Sequence, residues 1–509
     1  MQHNIRYTLV EGNYISKVEN EVFGSFVEHL GRAVYSGIYE PEHASADTLG
    51  CRQDVAHLIQ ELNISTVRYP GGNFVSGYNW RDGVGPKSER PVRLDYAWLS
   101  TETNEFGIDE FASWCTNYGL SPMVAVNLGT GTPQDAGYFI EYCNIKSGTA
   151  LSDLRIKHGR TEPYNFKLWC LGNEMDGPWQ TCHLDAEDYV KKAREASKIM
   201  RWVDPEIKLV GCGSATTALP SYPEWDRVVL EGLYDHIDFL SCHHYFENTT
   251  GKITDFLASG VLMDNFIHTI TSTADFVKAK LRSKKTMMIS FDEYNIWSNI
   301  AEPWTNYFEA DPSRRFEKAP PLLEQMYTLA DALSFSGLMI TLLNNCNRVK
   351  MASLAQLVNV IAPIFTKRGG GVIKQSIFYP FYLVSRYGRG MALHLPARVP
   401  MLDTVHGDAK LLQSAAVFNE EKGELTMFIL NISDIDEASI HLSFDGFCDP
   451  KLSKWEVLCG DDLNATNSFE KPNAVNLTSK EIGPKESTGA DITISPLSFN
   501  TLVFKTHKL

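Results

Sequence analysis

Apolar and polar positions follow two periodicities along most of the chain. Short apolar runs of strand length recur, and the segments between them have apolar residues at every third or fourth position. The helix predicted over residues 50–62, for example, has Val55, Leu58, Ile59 and Leu62 on one face. Strands that alternate with helices in this way are typical of a parallel sheet.

Eight strands of this kind are predicted, with helices between them. The predicted strands cover residues 21–29, 66–70, 122–127, 168–174, 208–211, 237–245, 286–293 and 337–343. The predicted helices cover residues 50–62, 107–118, 134–146, 185–202, 223–232, 262–281 and 321–335. This pattern predicts a (β/α)8 TIM barrel, in which functional groups lie at the carboxyl ends of the strands. An open doubly wound sheet is the alternative, although the sequence contains neither the GxGxxG motif nor the P-loop that often accompanies such a sheet.

The pattern changes beyond about residue 380. Short strands separated by turn-rich segments are predicted at 415–418, 425–430, 439–444, 455–458 and 499–504, which is typical of an all-β sandwich, jelly-roll-like in type. A strand at residues 5–10 has no evident role in the barrel and is expected to join this sandwich. We therefore expect a catalytic barrel over 18–380 and a β-sandwich domain made of 1–17 and 381–509.

Composition narrows the functional class. With 509 residues, 43% of them hydrophobic and 21% charged, the chain is expected to be a soluble protein of more than one domain. A net charge of -15 argues against nucleic-acid and membrane partners, because both present negative charge. No segment resembles a signal peptide or a membrane span, so a cytoplasmic location is expected. The ten cysteines form no CxxC pair, which excludes zinc-ribbon and thioredoxin readings, and no cofactor is expected.

Two predicted strands end in a glutamate. The apolar run Leu168–Leu171 leads into Asn173 and Glu174, and a second run ends at Asp292 and Glu293. Glu174 alone could be an exposed residue that begins a loop. Two strand-terminal carboxylates together suit glycoside hydrolysis, in which one carboxyl protonates the leaving oxygen and the other attacks the sugar or activates water.

Further polar side chains stand at the predicted carboxyl ends of strands. They are Glu28, Arg68, Asn127, Asn173, His243 and Tyr245. Burial alone does not explain so many polar groups at one end of the strands. Structural alternatives exist for some of them, since Arg68 could be a partner for any strand-end acid and Glu28 could simply pair with Arg68.

Two neighbouring histidines, His243 and His244, raise the question of a metal. No third and fourth ligand has a recognisable spacing, so no metal site is expected, and one of the two is expected to bind the acid/base glutamate. Asp176 and Asp292 adjoin the two key glutamates. Because neighbouring residues of a strand alternate in direction, we expect both aspartates to point elsewhere.

Three tryptophans lie in predicted loops after strands, namely Trp98, Trp179 and Trp297. Each could stack on a sugar ring or pack at the barrel rim. We favour sugar contact for Trp98 and Trp297.

Several motifs resemble glycoside hydrolase family 51, the α-L-arabinofuranosidases. Residues 171–177 (Leu-Gly-Asn-Glu-Met-Asp-Gly) resemble the acid/base signature of that family, and residues 291–295 (Phe-Asp-Glu-Tyr-Asn) resemble its nucleophile strand. Residues 67–73, 243–245 and 355–360 match further family segments in the expected order. The resemblance extends from Phe23 to the end of the barrel, and the domain layout continues it to the C-terminus.

The resemblance implies a retaining double displacement, a (β/α)8 barrel with a C-terminal β-sandwich, and often a homohexamer. It implies that Glu174 is the general acid/base and Glu293 the nucleophile. It further implies that Tyr245 binds near the nucleophile and that Arg68 keeps it ionised. Arabinose hydroxyls would be bound by Glu28, Asn73, Asn173 and Gln356.

The expected activity is an exo-acting, retaining α-L-arabinofuranosidase that acts on oligosaccharides derived from arabinan or arabinoxylan. The same barrel could instead serve as a β-1,4-endoglucanase or a xylosidase, because the fold does not determine the substrate. The alternative from another class is a non-catalytic carbohydrate-binding protein.

Overall fold

Eight parallel strands close into a barrel in the computed structural model, which describes residues 2–298, 303–489 and 492–509. The barrel strands are β3 (Gly24–Phe26), β4 (Thr66–Tyr69), β7 (Ser121–Val126), β8 (Leu168–Leu171), β9 (Lys208–Gly211), β10 (Phe239–Phe246), β11 (Met288–Ile296) and β12 (Val349–Leu354). Each pairs in parallel with the next in chain order, and β12 pairs with β3 to close the ring. The predicted (β/α)8 barrel is confirmed.

Helices surround the barrel. They are α1 (Gln53–Glu61), α2 (Ile108–Tyr118), α3 (Pro133–Asn144), α4 (Ala150–Lys157), α5 (Ala186–Val203), α6 (Glu224–Leu233), α7 (Ile253–Leu257), α8 (Ser259–Leu281), α9 (Asn306–Ala310), α10 (Leu329–Asn344) and α11 (Phe378–Tyr387). Their starts follow local rules: Asp185 accepts a hydrogen bond from the backbone of Asp188 at the start of α5. Among the helices of the described residues, none is both long and apolar enough to cross a membrane.

The prediction of the eighth strand at 337–343 is wrong. These residues belong to helix α10, and the eighth strand is β12, further along the chain. Helix α10 is buried from Leu329 to Leu343 apart from half-buried Ala330, because it packs between the barrel and the strands of the C-terminal domain. A helix that is apolar on all sides loses the 3.6-residue pattern, so its central apolar run has the appearance of a strand.

Two sheets form the C-terminal sandwich. The larger contains, in order, β2 (Tyr14–Lys17), β15 (Met391–Leu393), β18 (Leu412–Asn419), β19 (Glu424–Asn431), β24 (Ser498–Lys508), β21 (Phe447–Leu458) and β22 (Thr478–Ser479). The smaller contains β1 (Gln2–Val10), β20 (Glu437–Asp445) and β23 (Ile492–Ile494). Ile5, Tyr7 and Leu9 from β1 join the apolar core between these sheets. We propose the division into 18–380 and 1–17 plus 381–509, and the pairing of β1 and β2 with C-terminal strands supports it.

Three two-stranded hairpins complete the described strands. They are β5 (Arg93–Asp95) with β6 (Ser100–Glu102), β13 (Ile364–Thr366) with β14 (Val372–Lys374), and β16 (Met401–Thr404) with β17 (Gly407–Lys410). The first belongs to the long connection between β4 and α2, on the side where the barrel strands end. This hairpin therefore contributes to the surroundings of the site.

Candidate active site

The chain turns sharply after strand β8. Gly172 has a φ of +88° and Glu174 a φ of +43°, and the left-handed region is uncommon for a glutamate. Such a backbone costs about 1–3 kcal/mol and persists only where neighbouring contacts hold it. Here the turn brings Asn173 and Glu174 to the open end of the barrel, where both are buried.

Glu174 is held from two sides. His243 Nδ1 lies 2.9 Å from its Oε1, and the indole of Trp179 donates to its Oε2 at 2.6 Å. The histidine is buried, whereas Trp179 is 47% exposed, so Glu174 stands between the barrel interior and an open edge. The Trp179 ring also packs on Gly177, where an added Cβ would come within 2.6 Å of it. Only glycine permits this approach.

Glu293 faces Glu174 from strand β11. It accepts a hydrogen bond from Arg68 Nη1 at 2.8 Å and another from the Tyr245 hydroxyl at 3.0 Å. Burial and the negative charge of Glu174 raise the pKa of Glu293, while His243 and Arg68 oppose this rise. The expected contact with Arg68 is present, but burial raises the pKa of Glu293 by more than Arg68 lowers it.

A β-bulge in strand β11 explains how two successive acids enter the site. The register of β10 with β11 advances from Ser241–Ser290 to His243–Glu293, which leaves one extra residue in β11. Asp292 consequently contacts His243 Nε2 at 3.2 Å and accepts from the Ser241 hydroxyl at 2.5 Å. The expectation that Asp292 points elsewhere is wrong, because the bulge interrupts the alternation of side chains.

His243 bridges the carboxylates. Besides Glu174 and Asp292, it approaches Glu293 Oε2 to 3.6 Å. Burial lowers the pKa of this histidine, but the three carboxylates outweigh burial and raise it to about 10. His243 is therefore an imidazolium at neutral pH, with both ring nitrogens donating.

Arg68 organises the other side of the pair. Its Nη2 donates to Asn173 Oδ1 at 2.6 Å, its Nε lies 3.7 Å from Asp292 Oδ2, and its guanidinium stacks on the ring of Phe26. A planar fork can reach Glu293 and Asn173 at once. The alternative that Arg68 pairs with Glu28 does not fit these contacts.

Glu28 instead has a ring of neutral donors. It accepts from the Trp98 indole at 2.8 Å, from the backbone of Phe74 at 2.9 Å and from the Gln356 amide at 3.2 Å. Burial raises the pKa of Glu28 to about 8, and the charge of Glu293 adds to this effect. Burial therefore favours the protonated form of Glu28.

Asn73 and Trp297 lie at the edge of this group. Asn73 is half-buried at the start of a 3-10 turn. It directly follows Gly72, and a Cβ added to Gly72 would lie 3.2 Å from Glu293 Oε1. The half-buried ring of Trp297 stands edge-on to Tyr245, with ring centres 5.2 Å apart. Asn127 is not part of the site, because its amide binds backbone groups of its own loop and of Tyr78.

Two tryptophans near the site were not predicted to contribute to it. Trp179, for which sugar contact was not favoured, donates to Glu174, and the ring of Trp304 stands 5.2 Å from that of Trp98. Both tryptophans lie in connecting segments, whose position no periodicity predicts. The only signal in the sequence that could have indicated either residue was a tryptophan in a segment that follows a barrel strand, which is also the signal that indicated Trp98.

The two catalytic candidates converge. One oxygen of Glu174, one of Glu293 and a nitrogen of His243 all lie within 4.8 Å of one another. Such a group could surround a cation, although both ring nitrogens of His243 already face carboxylate oxygens, Nδ1 that of Glu174 and Nε2 that of Asp292. Two close carboxyls with one strong cationic contact at Glu293 are suited to acid/base and nucleophilic chemistry on a sugar.

Known proteins share this architecture. Two family descriptions match the chain: "Alpha-L-arabinofuranosidase 1 domain" over residues 58–263 and "Alpha-L-arabinofuranosidase C-terminal domain" over residues 292–498. An intracellular exo-α-(1→5)-L-arabinofuranosidase from Acetivibrio thermocellus is 45% identical over 95% of this chain and 94% of its own length. The chain belongs to the α-L-arabinofuranosidases of glycoside hydrolase family 51.

Two further members of family 51 extend the comparison. An exo-α-(1→6)-L-arabinofuranosidase from Bifidobacterium longum is 44% identical over 96% of this chain and 95% of its own length. The solved structure of AbfB, a family 51 α-L-arabinofuranosidase from Bifidobacterium longum, superposes with a TM-score of 0.92 at 38% identity, covering 99% of this chain and 100% of that chain. The predicted family and the predicted enzyme class, a glycoside hydrolase, are confirmed.

Proposed function

We propose that this family 51 enzyme releases terminal arabinofuranosyl residues by a retaining double displacement. Glu293 attacks the anomeric carbon while Glu174 protonates the departing oxygen, and Glu174 then takes a proton from the water that frees the sugar. The observation that carries this proposal is the distance of at most 4.8 Å between an oxygen of Glu174 and one of Glu293. Retaining enzymes hold their carboxyls about 5–5.5 Å apart, and inverting enzymes about 6.5–9.5 Å.

The other polar groups would bind the sugar. Among the described residues the buried amide nitrogen of Asn173 has no hydrogen-bond partner, and Arg68 donates to its oxygen, so the amide is oriented to donate to a hydroxyl. Glu28 and the amide of Gln356 are hydrogen-bonded to each other and together offer acceptor and donor groups to a hydroxyl. The Tyr245 hydroxyl donates to the nucleophile, and Asn73 follows Gly72, whose backbone lies beside it.

The substrates we propose are short oligosaccharides from arabinan or arabinoxylan. Relatives of nearly equal identity are named for (1→5) and for (1→6) linkages, so the linkage has to be measured. A cytoplasmic location is supported by the word "intracellular" in the name of the relative from Acetivibrio thermocellus. A homo-oligomer, with the hexamer as the expected form, stays a prediction that light scattering would test.

A methanolysis experiment tests the mechanism. Hydrolysis of p-nitrophenyl α-L-arabinofuranoside in the presence of methanol should yield methyl α-L-arabinofuranoside, whose anomeric configuration NMR reads directly. The β-anomer would refute retention. Glu293→Ala should abolish the release of nitrophenol, and a panel of nitrophenyl glycosides would reveal a xylosidase or a glucanase by a higher kcat/KM on its own substrate.

A further inference from the structure

The segment that carries Trp98 is a small and exposed hairpin. Strands β5 and β6 have three residues each, and the outward side chains Leu94 and Tyr96 are 49% and 68% exposed. Two-stranded hairpins of this size are at best marginally stable by themselves. Contacts outside the hairpin must therefore determine where Trp98 lies.

Within the hairpin, the carboxylate of Asp95 fixes the turn between β5 and β6. Asp95 accepts hydrogen bonds from the backbone of Ala97 and Trp98 and from the Ser100 hydroxyl. These bonds shape the turn around Trp98. They do not connect it to the barrel, because all the donors belong to the hairpin.

Outside the hairpin, the backbones of Leu99 and Thr101 bond to Phe316 and Glu317 of another connection, and Glu102, the last residue of β6, contacts the barrel. His29 Nδ1 lies 2.8 Å from Glu102 Oε2, and the other oxygen accepts from the Tyr35 hydroxyl and from the backbone of Asn104. Both members of the His29–Glu102 pair are almost fully buried. Burial raises the pKa of Glu102, but His29 and the other donors outweigh burial and hold it below its ordinary value.

Aromatic rings enclose the pair. The rings of Tyr69, Phe74 and Phe106 lie 4.8 to 6.4 Å from that of His29, and the Tyr69 hydroxyl is 2.8 Å from His29 Nε2. A buried carboxylate in such surroundings tolerates little displacement, because moving it leaves a buried charge without its partner. The pair therefore restricts both the position and the orientation of the end of β6.

Successive residues of the barrel thus hold the hairpin at two points. Glu28 binds the indole of Trp98, and His29, its neighbour, binds Glu102 four residues further along. We propose that His29 and Glu102 are positioning residues, which keep the Trp98 hairpin seated on Glu28 and so shape the arabinose-binding site. This inference rests on the proposed sugar-binding role of Glu28.

The substitution Glu102→Gln tests the positioning role, because it changes the hydrogen-bonding groups at this position and keeps the size of the side chain. One oxygen of Glu102 accepts from the Tyr35 hydroxyl and the backbone of Asn104, and the other lies 2.8 Å from His29 Nδ1. A glutamine carries no charge and has one acceptor oxygen, so an amide nitrogen replaces one of these two oxygens. Glu102→Gln should raise KM for p-nitrophenyl α-L-arabinofuranoside about tenfold, the effect of losing roughly one hydrogen bond at Glu28, and should change kcat less. Glu40→Gln is the matched control, because Glu40 pairs with buried Arg52 outside the site. It should lower the melting temperature and leave KM within about twofold.

A double-mutant cycle separates positioning from general stability. If Glu102 acts through Trp98, then Trp98→Phe raises KM by itself, and Glu102→Gln adds nothing to KM in that background. Additive effects of the two changes, or an unchanged KM in Glu102→Gln, would overturn the inference. If Glu102→Gln does not fold, Tyr35→Phe removes one donor to the same carboxylate and should raise KM only when Trp98 is present.

The cycle also tells this inference apart from the proposed function. An unchanged KM in both Trp98→Phe and Glu28→Gln would refute the sugar-binding role of Glu28. A raised KM in those two variants with an unchanged KM in Glu102→Gln would refute the positioning role alone.

Discussion

Replacing Arg68 by lysine tests the electrostatic organisation of the site. The side chain is buried and makes two short bonds in different directions, to Glu293 at 2.8 Å and to Asn173 at 2.6 Å. A lysine keeps the positive charge but has one ammonium group in place of the planar fork. It can pair with Glu293 or hold the Asn173 amide, and it cannot do both in the present geometry.

The magnitude follows from the bond that is lost. A hydrogen bond to a charged group contributes about 1.5–3 kcal/mol, and each 1.36 kcal/mol is a factor of ten in rate. Arg68→Lys should therefore lower kcat/KM by about 10- to 100-fold. Arg68→Met, which also removes the charge opposite Glu293 and Asp292, should cost several kcal/mol more and destabilise the fold, because two buried carboxylates keep only the His243 cation between them.

Steady-state hydrolysis of p-nitrophenyl α-L-arabinofuranoside at pH 7 is the assay, with thermal unfolding measured in parallel. The matched control is Arg52→Lys. Arg52 is equally buried and pairs with Glu40 and Asp54, but it lies outside the site, so this variant should lose stability and keep its kcat/KM. If Arg68→Lys stayed within about threefold of wild type, the role of the guanidinium fork would be refuted.

Three further outcomes are expected. Glu174→Ala should lose far less kcat/KM on dinitrophenyl than on alkyl arabinofuranosides, because a good leaving group needs no proton; equal losses would contradict the acid role. Gly177→Ala should displace the Trp179 ring from Glu174 and lower kcat/KM about tenfold, as steady-state kinetics beside Trp179→Phe would reveal. Asp226→Asn should stabilise the enzyme: burial raises the pKa of Asp226 from 3.8 to about 6, so wild type loses stability as the pH rises through this window. In urea denaturation the gain should be absent near about pH 4 and reach up to about 3 kcal/mol above about pH 6, and a pH-independent gain would contradict the assignment.

Local sequence was sufficient for seven of the eight barrel strands and for the placement of the two glutamates. Glu174 follows the apolar strand β8 (Leu168–Leu171), and Glu293 lies within β11 (Met288–Ile296) after its apolar first residues; these patterns depend only on neighbouring residues. Since the carboxyl ends of parallel strands meet at one end of a barrel, the convergence of the two glutamates could be predicted once the (β/α)8 alternation was recognised.

Tertiary structure decided what depends on register and on distant packing. The bulge that turns Asp292 towards His243 comes from the pairing of β11 with both of its neighbours, which no single segment encodes. Helix α10 resembles a strand in sequence because the sandwich covers the side that would otherwise be polar. The contacts of Trp98 and Trp179 depend on how the connections that carry these residues fold back onto the barrel. The position of such a connection is determined by buried partners distant in sequence, as His29 is for Glu102.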